Sequence, residues 1–512
     1  MAVSVGATAA SGSLYDQSSV LRLFSHVVGD AESTLKGAGR IARLLEEQFI
    51  DDGWPVGRIY GCETTLTERY RVGRAVVRES ARILEARGTA CMRRGRHGGL
   101  ELLYPSLAQM RDTLSGYCYL LNATSDHIRS ARLVLDRVAA YMATERCAYL
   151  EFAPLLDRNL IHSPDAGIQL RRLLNAAAGN AVVNFYSDCL EQLRALGLPP
   201  GEPTTVAPGV GSLNKCIDRL VMAISRGDVH AAAAWAAACS RRIQAPQTLS
   251  QNIEPQTSAQ RSNQGSGGLR DILHRTRAGQ IVHDLMLRVG PGQWIDGRSL
   301  GNEMDLCERY GVDRGVLRQA IRILEAAETA VSLPGRGHGL VARSPGPAAV
   351  SRLICCHFAA NRVGHYESFL AFKWLGVEVV ALAARYAQAR DVEPLRAELV
   401  ALARQADSVL FSDLIRIEER QFALARNPVL DLFLRSAKAF PSLIMQGNLP
   451  VPARVLQDFL ECSAEVTAAI ASGRPVAAAA AQERKFTRLR RNLDPIFQNF
   501  RSGSLASLNR PP

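Results

Sequence analysis

Two pairs of arginines are the residues of this sequence best suited to contact a polyanion. Arg74 and Arg78 form the first pair, and Arg314 and Arg318 form the second. Residues four positions apart lie on one face of a helix. The guanidinium group offers two parallel donors that match O6 and N7 of guanine, and it also neutralises phosphates. Each pair therefore predicts the DNA-reading face of a helix.

The charge around the two pairs is unequal. The stretch Arg69–Arg96 has nine arginines and two acidic residues, whereas Arg309–Arg336 has five arginines and three acidic residues. We expect the first stretch to supply most of the electrostatic attraction to phosphates. The alternative, an ordinary solvated helix face, carries more weight for the second pair than for the first.

The sequence around the pairs repeats without a gap. Ala278 stands 240 positions after Ala38, and Leu306 stands 240 positions after Leu66. The segment LTERYRVGRAVVRESARILEARGTA recurs as LCERYGVDRGVLRQAIRILEAAETA, with ERY, V-x-R-x-V-x-R and RILEA in register. We infer an internal duplication.

Each copy shows the same order of predicted elements, from a first helix to a glycine-rich hairpin. The predicted helices are Ala38–Asp51, Glu63–Tyr70 and Ala75–Arg87 in the first copy, and Ala278–Arg288, Glu303–Tyr310 and Gly315–Ala327 in the second. Asn302 is a good N-cap for its short helix, whereas Cys62 is a poorer one. Helix, tight turn, helix and basic hairpin make up a winged helix-turn-helix, whose second helix enters the major groove.

The predicted fold is mainly α, with two winged helix-turn-helix modules that are each followed by an all-helical effector-binding bundle. A polar segment rich in Gln and Ser, Pro246–Gly268, predicts a flexible linker between the halves. The predicted domains are an N-terminal extension (1–36), module 1 (37–104), helical domain 1 (105–245), the linker (246–268), module 2 (269–345), helical domain 2 (346–500) and a C-terminal tail (501–512).

Composition narrows the function classes. The net charge of +12 favours a polyanionic partner, either nucleic acid or an anionic membrane surface. The eleven cysteines form no CxxC pair, which argues against a zinc ribbon and fits reduced thiols in the cytoplasm. We find no secretory signal, no membrane-length apolar run and no HExxH or GxSxG motif. The sequence therefore predicts a cytoplasmic protein that is not an enzyme and needs no cofactor.

Each module resembles the GntR family of bacterial regulators. The family pattern has L-x-x-E before the short helix, then [FY]-G-V-S-R-x-x-V-R and a G-x-G wing. The matching residues of the first copy are Glu63, Leu66, Glu68, Tyr70, Val72, Arg74, Val77, Arg78 and Leu84. Those of the second are Leu300, Glu303, Leu306, Tyr310, Gly311, Val312, Arg314, Leu317, Arg318, Ala320 and Leu324. The region after each module resembles the helical domain of the FadR-type branch, with Glu378 before Ala383-Ala384, and with Asn180 and Asn427 ending A-x-x-x-N segments.

The resemblance implies a set of DNA-contacting residues. They are Arg74, Arg78, Arg71, Thr64, Arg94, Arg96, His97, Arg314, Arg318, Arg336 and His338. Two departures stand out: Thr64 and Met304 replace a family arginine, and Gly73 and Asp313 replace a Ser or Thr. We expect Asp313 to point a negative charge toward DNA and to weaken the second module.

The helical domains depart further from the resemblance. Many FadR-type members hold a metal with one Asp and three His. The expected histidine positions are Arg171, Ile217 and Cys239 in the first domain, and Glu418, Ser463 and Lys485 in the second. None is His, so we expect no bound metal. We expect instead an apolar cavity in each domain for a small-molecule effector.

The resulting prediction is a sequence-specific regulator that binds a double-stranded DNA operator. One alternative is an architectural or silencing DNA-binding protein with vestigial effector domains. A ligand-binding enzyme on a helical scaffold is another, without a catalytic constellation to support it. A linker of this length reaches roughly 25–30 Å and holds the halves at about millimolar effective concentration. We therefore expect an intrachain pseudo-dimer, with a further homodimer left open.

Overall fold

The computed structural model describes residues 37–95, 98–105, 107–121, 123–146, 166–194, 213–244, 277–290, 293–333, 339–344, 346–405, 408–442 and 450–508. Together these residues form 19 helices and five strands, so the fold is mainly helical, as predicted. The predicted linker, the N-terminal extension and the wing-tip residues Arg96, His97, Arg336 and His338 lie outside these ranges.

The described part of the first half contains nine helices and one hairpin. Its elements are α1 (Gly37–Asp51), α2 (Glu63–Tyr70), α3 (Arg74–Arg87), β1 (Ala90–Arg93), β2 (Gly99–Leu102), α4 (Leu107–Leu120), α5 (Ser125–Glu145), α6 (Ala166–Ala178), α7 (Ala181–Arg194), α8 (Leu213–Ser225) and α9 (Val229–Gln244).

The described part of the second half repeats that order and adds a strand and a helix. Its elements are α10 (Arg277–Val289), β3 (Ser299–Gly301), α11 (Glu303–Tyr310), α12 (Arg314–Ala326), β4 (Ala330–Ser332), β5 (Leu340–Ala342), α13 (Pro347–Ala360), α14 (His365–Tyr386), α15 (Ala389–Arg404), α16 (Phe411–Ala423), α17 (Pro428–Ser442), α18 (Ala453–Ala471) and α19 (Pro475–Leu508).

The first helix of each half packs against the longer helix of its module, α1 against α3 and α10 against α12. Leu45 and Phe49 of α1 are buried one turn apart, and the Phe49 ring packs edge-on against Trp54 and Tyr60. The Trp54 indole N–H donates to the Leu103 carbonyl at 3.0 Å, which ties the turn after α1 to the end of the hairpin. Trp294, 240 positions later, donates to the Thr329 carbonyl at 2.7 Å, before the second hairpin.

Both hairpins are antiparallel, but their sheets differ. β1 pairs with β2 from Ala90–Leu102 to Arg93–Gly99, and β4 pairs with β5 in the second half. In the second half β3 adds a third strand beside β5, whereas the described part of the first half has an isolated bridge between Ile59 and Glu101 there. Sequence analysis missed β3 because three residues are too few to show an alternating pattern.

The helical domains pack around two long helices. In the first domain α5 contacts α6, α7 and α9, and in the second α14 contacts α17, α18 and α19. The buried apolar residues of the first module and of both helical domains form one continuous core, while α10–α12 and the second hairpin have a core of their own. The two helical domains thus share one hydrophobic interior.

Reciprocal hydrogen bonds join the two halves. The Asn180 amide donates to the Glu367 carbonyl at 2.9 Å, and the Asn427 amide donates to the His127 carbonyl at 2.9 Å. Asn180 and Asn427 each stand immediately before a helix, α7 and α17, and His127 and Glu367 are both the third residue of a long helix. Each half therefore gives the other the same contact, as in an isologous interface.

The last helix runs past the predicted end of helical domain 2. The predicted domain ends at residue 500 and the predicted tail covers 501–512, whereas α19 continues to Leu508. Residues 501–508 contain no proline, the residue that breaks helices most strongly. The boundary between domain and tail stays a prediction.

Candidate nucleic-acid interface

The turn between α2 and α3 has the same shape in both halves but different residues. Arg71 ends α2 in the left-handed region, with a φ of 51°, and its N–H donates to the Glu68 carbonyl. Gly311 occupies that place after α11, with a φ of 57°. Glycine adopts this conformation at little cost, whereas arginine does not. The turn leaves the Arg71 side chain exposed next to the start of α3.

The predicted arginines lie on the solvent face of their helices. Arg74 and Arg78 are exposed at the start of α3, and Arg314 and Arg318 are exposed at the start of α12. The opposite faces are buried in the module cores, through Val77, Ala81 and Leu84 in α3 and through Leu317, Ala320 and Leu324 in α12. Because the apolar face of each helix is fixed in its module core, the arginine pair on the opposite face is exposed to solvent. Thr64, Met304 and Arg94 are exposed as well.

One arginine of each pair is held by an acidic residue of the preceding short helix. Nε of Arg78 donates to Glu63 at 2.8 Å, and Nε of Arg318 donates to Glu303 at 2.6 Å. The hydrogen bond to Glu63 raises the pKa of Arg78. Both glutamates match the family motif, but their ion pairs with the arginines were not predicted, because the partners lie on two different helices.

Asp313 has a local role that sequence analysis did not include. Its carboxylate accepts the backbone N–H groups of Gly315 at 2.7 Å and Val316 at 3.0 Å, so it caps the N-terminus of α12. The residue is exposed, and its expected effect on DNA binding stays a prediction. Gly73, its counterpart before α3, makes no side-chain cap.

Sequence patterns also predicted a good N-cap at Asn302 and a poorer one at Cys62. Asn302 accepts the Asp305 N–H at the start of α11, which confirms its predicted role. Cys62 makes no side-chain cap to α2 and instead contacts the Thr65 hydroxyl at 3.2 Å.

Each hairpin is tied to the helix before it by a glutamate. The Met92 N–H donates to Glu85 at 2.9 Å, and the Ser332 N–H donates to Glu325 at the same distance. These acids therefore hold the hairpin base and reduce the net charge of their modules without being directed at the arginine pairs. At the tip of the first hairpin Gly95 has a φ of 116°, which favours glycine.

The two modules meet at the C-terminal ends of α3 and α12. Arg87 binds Glu328 at 3.3 Å and Glu46 at 2.9 Å, and Arg43 binds Glu328 at 3.4 Å. Arg352 lies 3.8 Å from Glu46 and is almost fully buried. We call these five residues the inter-module ion cluster. Burial alone would raise the pKa of Glu328, but Arg87, Arg352 and Arg43 lower it.

The positions that resemble metal ligands hold ion pairs or apolar contacts. In the first domain Arg171 lies 3.4 Å from Asp136 and 3.3 Å from Glu191. Ile217 and Cys239 are buried in the core. Within the described ranges no group of three His, Cys, Asp or Glu side chains could hold a metal ion. The residues present do not fit the metal that the FadR-type resemblance implies.

In the second domain two of the positions that resemble metal ligands, Glu418 and Lys485, belong to a group of charged side chains. Glu418 contacts Lys438 at 2.6 Å and Lys485 at 3.2 Å, and Lys485 is completely buried. Burial would raise the pKa of Glu418, but the two ammonium groups lower it to about 2. Burial also lowers the pKa of Lys485, and Glu418 only partly offsets this. Lys438 and Lys485 thus supply the positive charge at this place.

Two cavities lie along α19 rather than within a bundle. One, of about 280 Å³, is lined by Phe369, Lys373, Phe486, Thr487, Arg490 and Arg491. The other, of about 400 Å³, is lined by Ala480, Glu483, Arg484, Thr487 and Arg488. The predicted apolar cavity inside each domain stays a prediction.

No protein-family model and no curated protein matches this sequence. A solved chain described as Streptococcus agalactiae GntR is 19% identical, with a TM-score of 0.33, and the match covers 43% of this chain and 99% of that one. Among the described residues no helix is long and apolar enough to cross a membrane.

Proposed function

We propose that this chain is a transcription regulator that binds double-stranded DNA through two winged helix-turn-helix modules. The observation that carries the proposal is the repeated arrangement of Arg74 with Arg78 and of Arg314 with Arg318. In both halves the pair is exposed at the N-terminal end of a helix whose opposite face is buried. A helix N-terminus with outward arginines suits both phosphate contacts and bidentate contacts to guanine.

The placement of the modules supports a single operator for the chain. The C-terminal ends of α3 and α12 are joined through Arg87 and Glu328, and the two helices have 14 and 13 residues. At a rise of 1.5 Å per residue, the arginine-bearing ends lie no more than roughly 50 Å apart. That distance corresponds to about one and a half turns of B-DNA. We propose that the modules read two neighbouring, non-identical half-sites.

The test compares two double variants on a duplex selected by the full-length chain from a random library. Arg74→Ala/Arg78→Ala should abolish specific binding, since each lost bidentate contact costs about 1–3 kcal/mol. Each phosphate contact contributes about 0.9 to the slope of log K against log salt. Because the first module carries more arginines, this variant should flatten the slope more than Arg314→Ala/Arg318→Ala. Wild-type affinity of the first variant across a salt series would refute the assignment of Arg74 and Arg78 as DNA-contacting residues. Equal salt slopes for the two variants would refute the larger electrostatic contribution of the first module.

We further propose that a small molecule bound in a helical domain regulates DNA binding. The shared core of the two domains supports this, because a change in one domain must be accommodated by the other, and α4 and α13 connect each domain to its module.

The ion pairs at the metal-like positions favour a second candidate, an architectural or silencing protein without an effector. Arg171 and Lys485 stand where the FadR-type resemblance expects metal-binding histidines, and both make ion pairs instead. A panel of metabolites screened for changes in operator affinity separates the two candidates, since only the sensor responds.

A further inference from the structure

The strongest unexplained feature of the candidate interface is a carboxylate beside each recognition arginine. An acidic group near DNA repels phosphates and weakens binding. Yet Glu63 and Glu303 lie beside Arg78 and Arg318 in both halves, although the halves differ at other interface positions such as Arg71 against Gly311. The pairing therefore calls for a role that outweighs the repulsion.

The geometry of the pairs suggests that role. In both halves it is Nε of the arginine that donates to the glutamate. Within the described residues Glu63 and Glu303 are the only acidic partners of these two guanidinium groups. The terminal edge of each guanidinium, with Nη1 and Nη2, is therefore available. That edge carries the two parallel donors that match O6 and N7 of guanine.

Exposure makes a positioning partner valuable here. The side chains of Arg78 and Arg318 are 62% and 57% exposed. An exposed arginine samples many rotamers, and ordering it on binding costs free energy. A charge-assisted hydrogen bond to a carboxylate on a second helix reduces that cost, because α2 and α11 are themselves fixed in the module cores through Leu66 and Leu306.

We propose that Glu63 and Glu303 are positioning residues that set base specificity by holding the guanidinium groups of Arg78 and Arg318 with their terminal edges toward guanine. This inference rests on the proposed DNA-binding function and deepens it. The glutamates weaken binding to every DNA sequence to the same extent, but they increase the discrimination between bases. A purely electrostatic role predicts the opposite, since removing the charge would tighten binding to every sequence equally.

Glu63→Gln tests the proposal, with Glu68→Gln as the matched control. Glu68 is exposed on the same helix, so its substitution changes the charge equally but leaves Arg78 held. The probe is the duplex selected by the wild-type chain, together with duplexes in which each of its guanines is replaced in turn. Glutamine keeps an oxygen acceptor but loses the charge that strengthens the bond to Nε, so it holds the exposed guanidinium less firmly. For Glu63→Gln we expect the affinity ratio at one guanine to fall by about 5- to 100-fold, up to the size of one bidentate contact. The ratio for Glu68→Gln should stay at the wild-type value.

The second half provides an independent repetition. Glu303→Gln should lower discrimination at a guanine of the other half-site, while Glu308→Gln, its matched control, should not. In an Arg78→Ala background Glu63→Gln should have no further effect on the ratio, because the group it positions is gone. Thermal unfolding of each variant checks that the modules remain folded.

The outcomes separate this inference from the function on which it rests. If the wild-type chain selects no sequence, both fail. If it selects a sequence and Arg78→Ala loses it, but Glu63→Gln keeps every ratio, the function stands and the positioning role is overturned. A fall in the ratio that Glu68→Gln reproduces also overturns it, because the effect then does not depend on the contact with Arg78.

Discussion

At the residue scale, equivalent positions of the two halves have acquired different functions. Asp313 caps α12 through two backbone N–H groups, whereas Gly73 before α3 has no side chain to cap with. Glu328 adopts a φ of 57° where the first half has Gly88, and it joins the inter-module ion cluster from that position. The two positions thus carry different side chains on a similar backbone, with φ values of −68° at Gly73 and −72° at Asp313, and of 68° at Gly88 and 57° at Glu328.

The cap at Asp313 gives a prediction that separates its charge from its hydrogen bonds. Asp313→Ala should lower the free energy of unfolding by about 1 kcal/mol, whereas Asp313→Asn, which keeps the acceptor, should change it by only a few tenths. Chemical denaturation measures both. A loss for asparagine as large as that for alanine would show that charge, rather than the cap, stabilises α12.

At the element scale, the second helical domain is organised around a buried charged group. Glu418 lies between Lys438 and Lys485, and Lys485 also lies 4.2 Å from the centre of the Phe459 ring. α16, α17 and α19 each contribute one of the three charges. Removing the central carboxylate leaves two ammonium groups in a site from which water is largely excluded.

We therefore expect Glu418→Gln to destabilise the protein by about 3–5 kcal/mol. The exposed pair Glu461–Arg488 provides a control, and Glu461→Gln should cost no more than about 1 kcal/mol. Replacement of Glu418, Lys438 and Lys485 together by apolar residues should recover most of the loss, since a fully apolar site leaves no charge uncompensated. Equal losses for Glu418→Gln and Glu461→Gln would contradict this account.

The same group predicts how stability depends on pH. The folded pKa of Glu418 is about 2, below its ordinary value of 4.5, so the folded state favours the ionised carboxylate. Its contribution is complete above about pH 4.5 and is lost as pH falls toward 2. Unfolding measured between about pH 5 and 2 should show a steeper loss of stability for wild type than for Glu418→Gln.

At the scale of the whole molecule, the two halves form one body through several kinds of contact. The helical domains share their core, Asn180 and Asn427 make reciprocal hydrogen bonds, and the modules meet at the inter-module ion cluster. Tyr104, just after the first hairpin, also donates to Asn361 of the turn after α13 at 2.8 Å, so module 1 contacts the opposite helical domain directly.

These contacts lead us to predict that a single chain acts as an internal pseudo-dimer. Sedimentation should find that the halves pair within one chain, and footprinting should show one chain protecting one operator with two unequal half-sites. Any further dimer should use a different surface, because the reciprocal surfaces are already occupied. Chains whose halves pair only with a second chain would refute this prediction, as would two separate footprints per chain.

The sequence alone specified the local elements and their repetition. The spacing of Val77, Ala81 and Leu84 predicted α3 to within one residue, and the bounds of α2 and α11 were predicted as observed. These features depend on helical periodicity and turn chemistry, which act over a few residues. The arginine pairs were found for the same reason, because their exposure follows from the buried face of the same helix.

Only the tertiary structure decided which groups meet across long separations in the chain. Glu63 with Arg78, Arg87 with Glu328, and Glu418 with Lys485 are contacts between elements, and no local pattern specifies their partners. The cap made by Asp313 is a different case, because Gly315 and Val316 are only two and three residues away and N-cap preferences act at that range. The short helices and the turns between them follow from residues close in sequence, whereas the pairing of the halves depends on burying a common core, a property that exists only once the chain has folded.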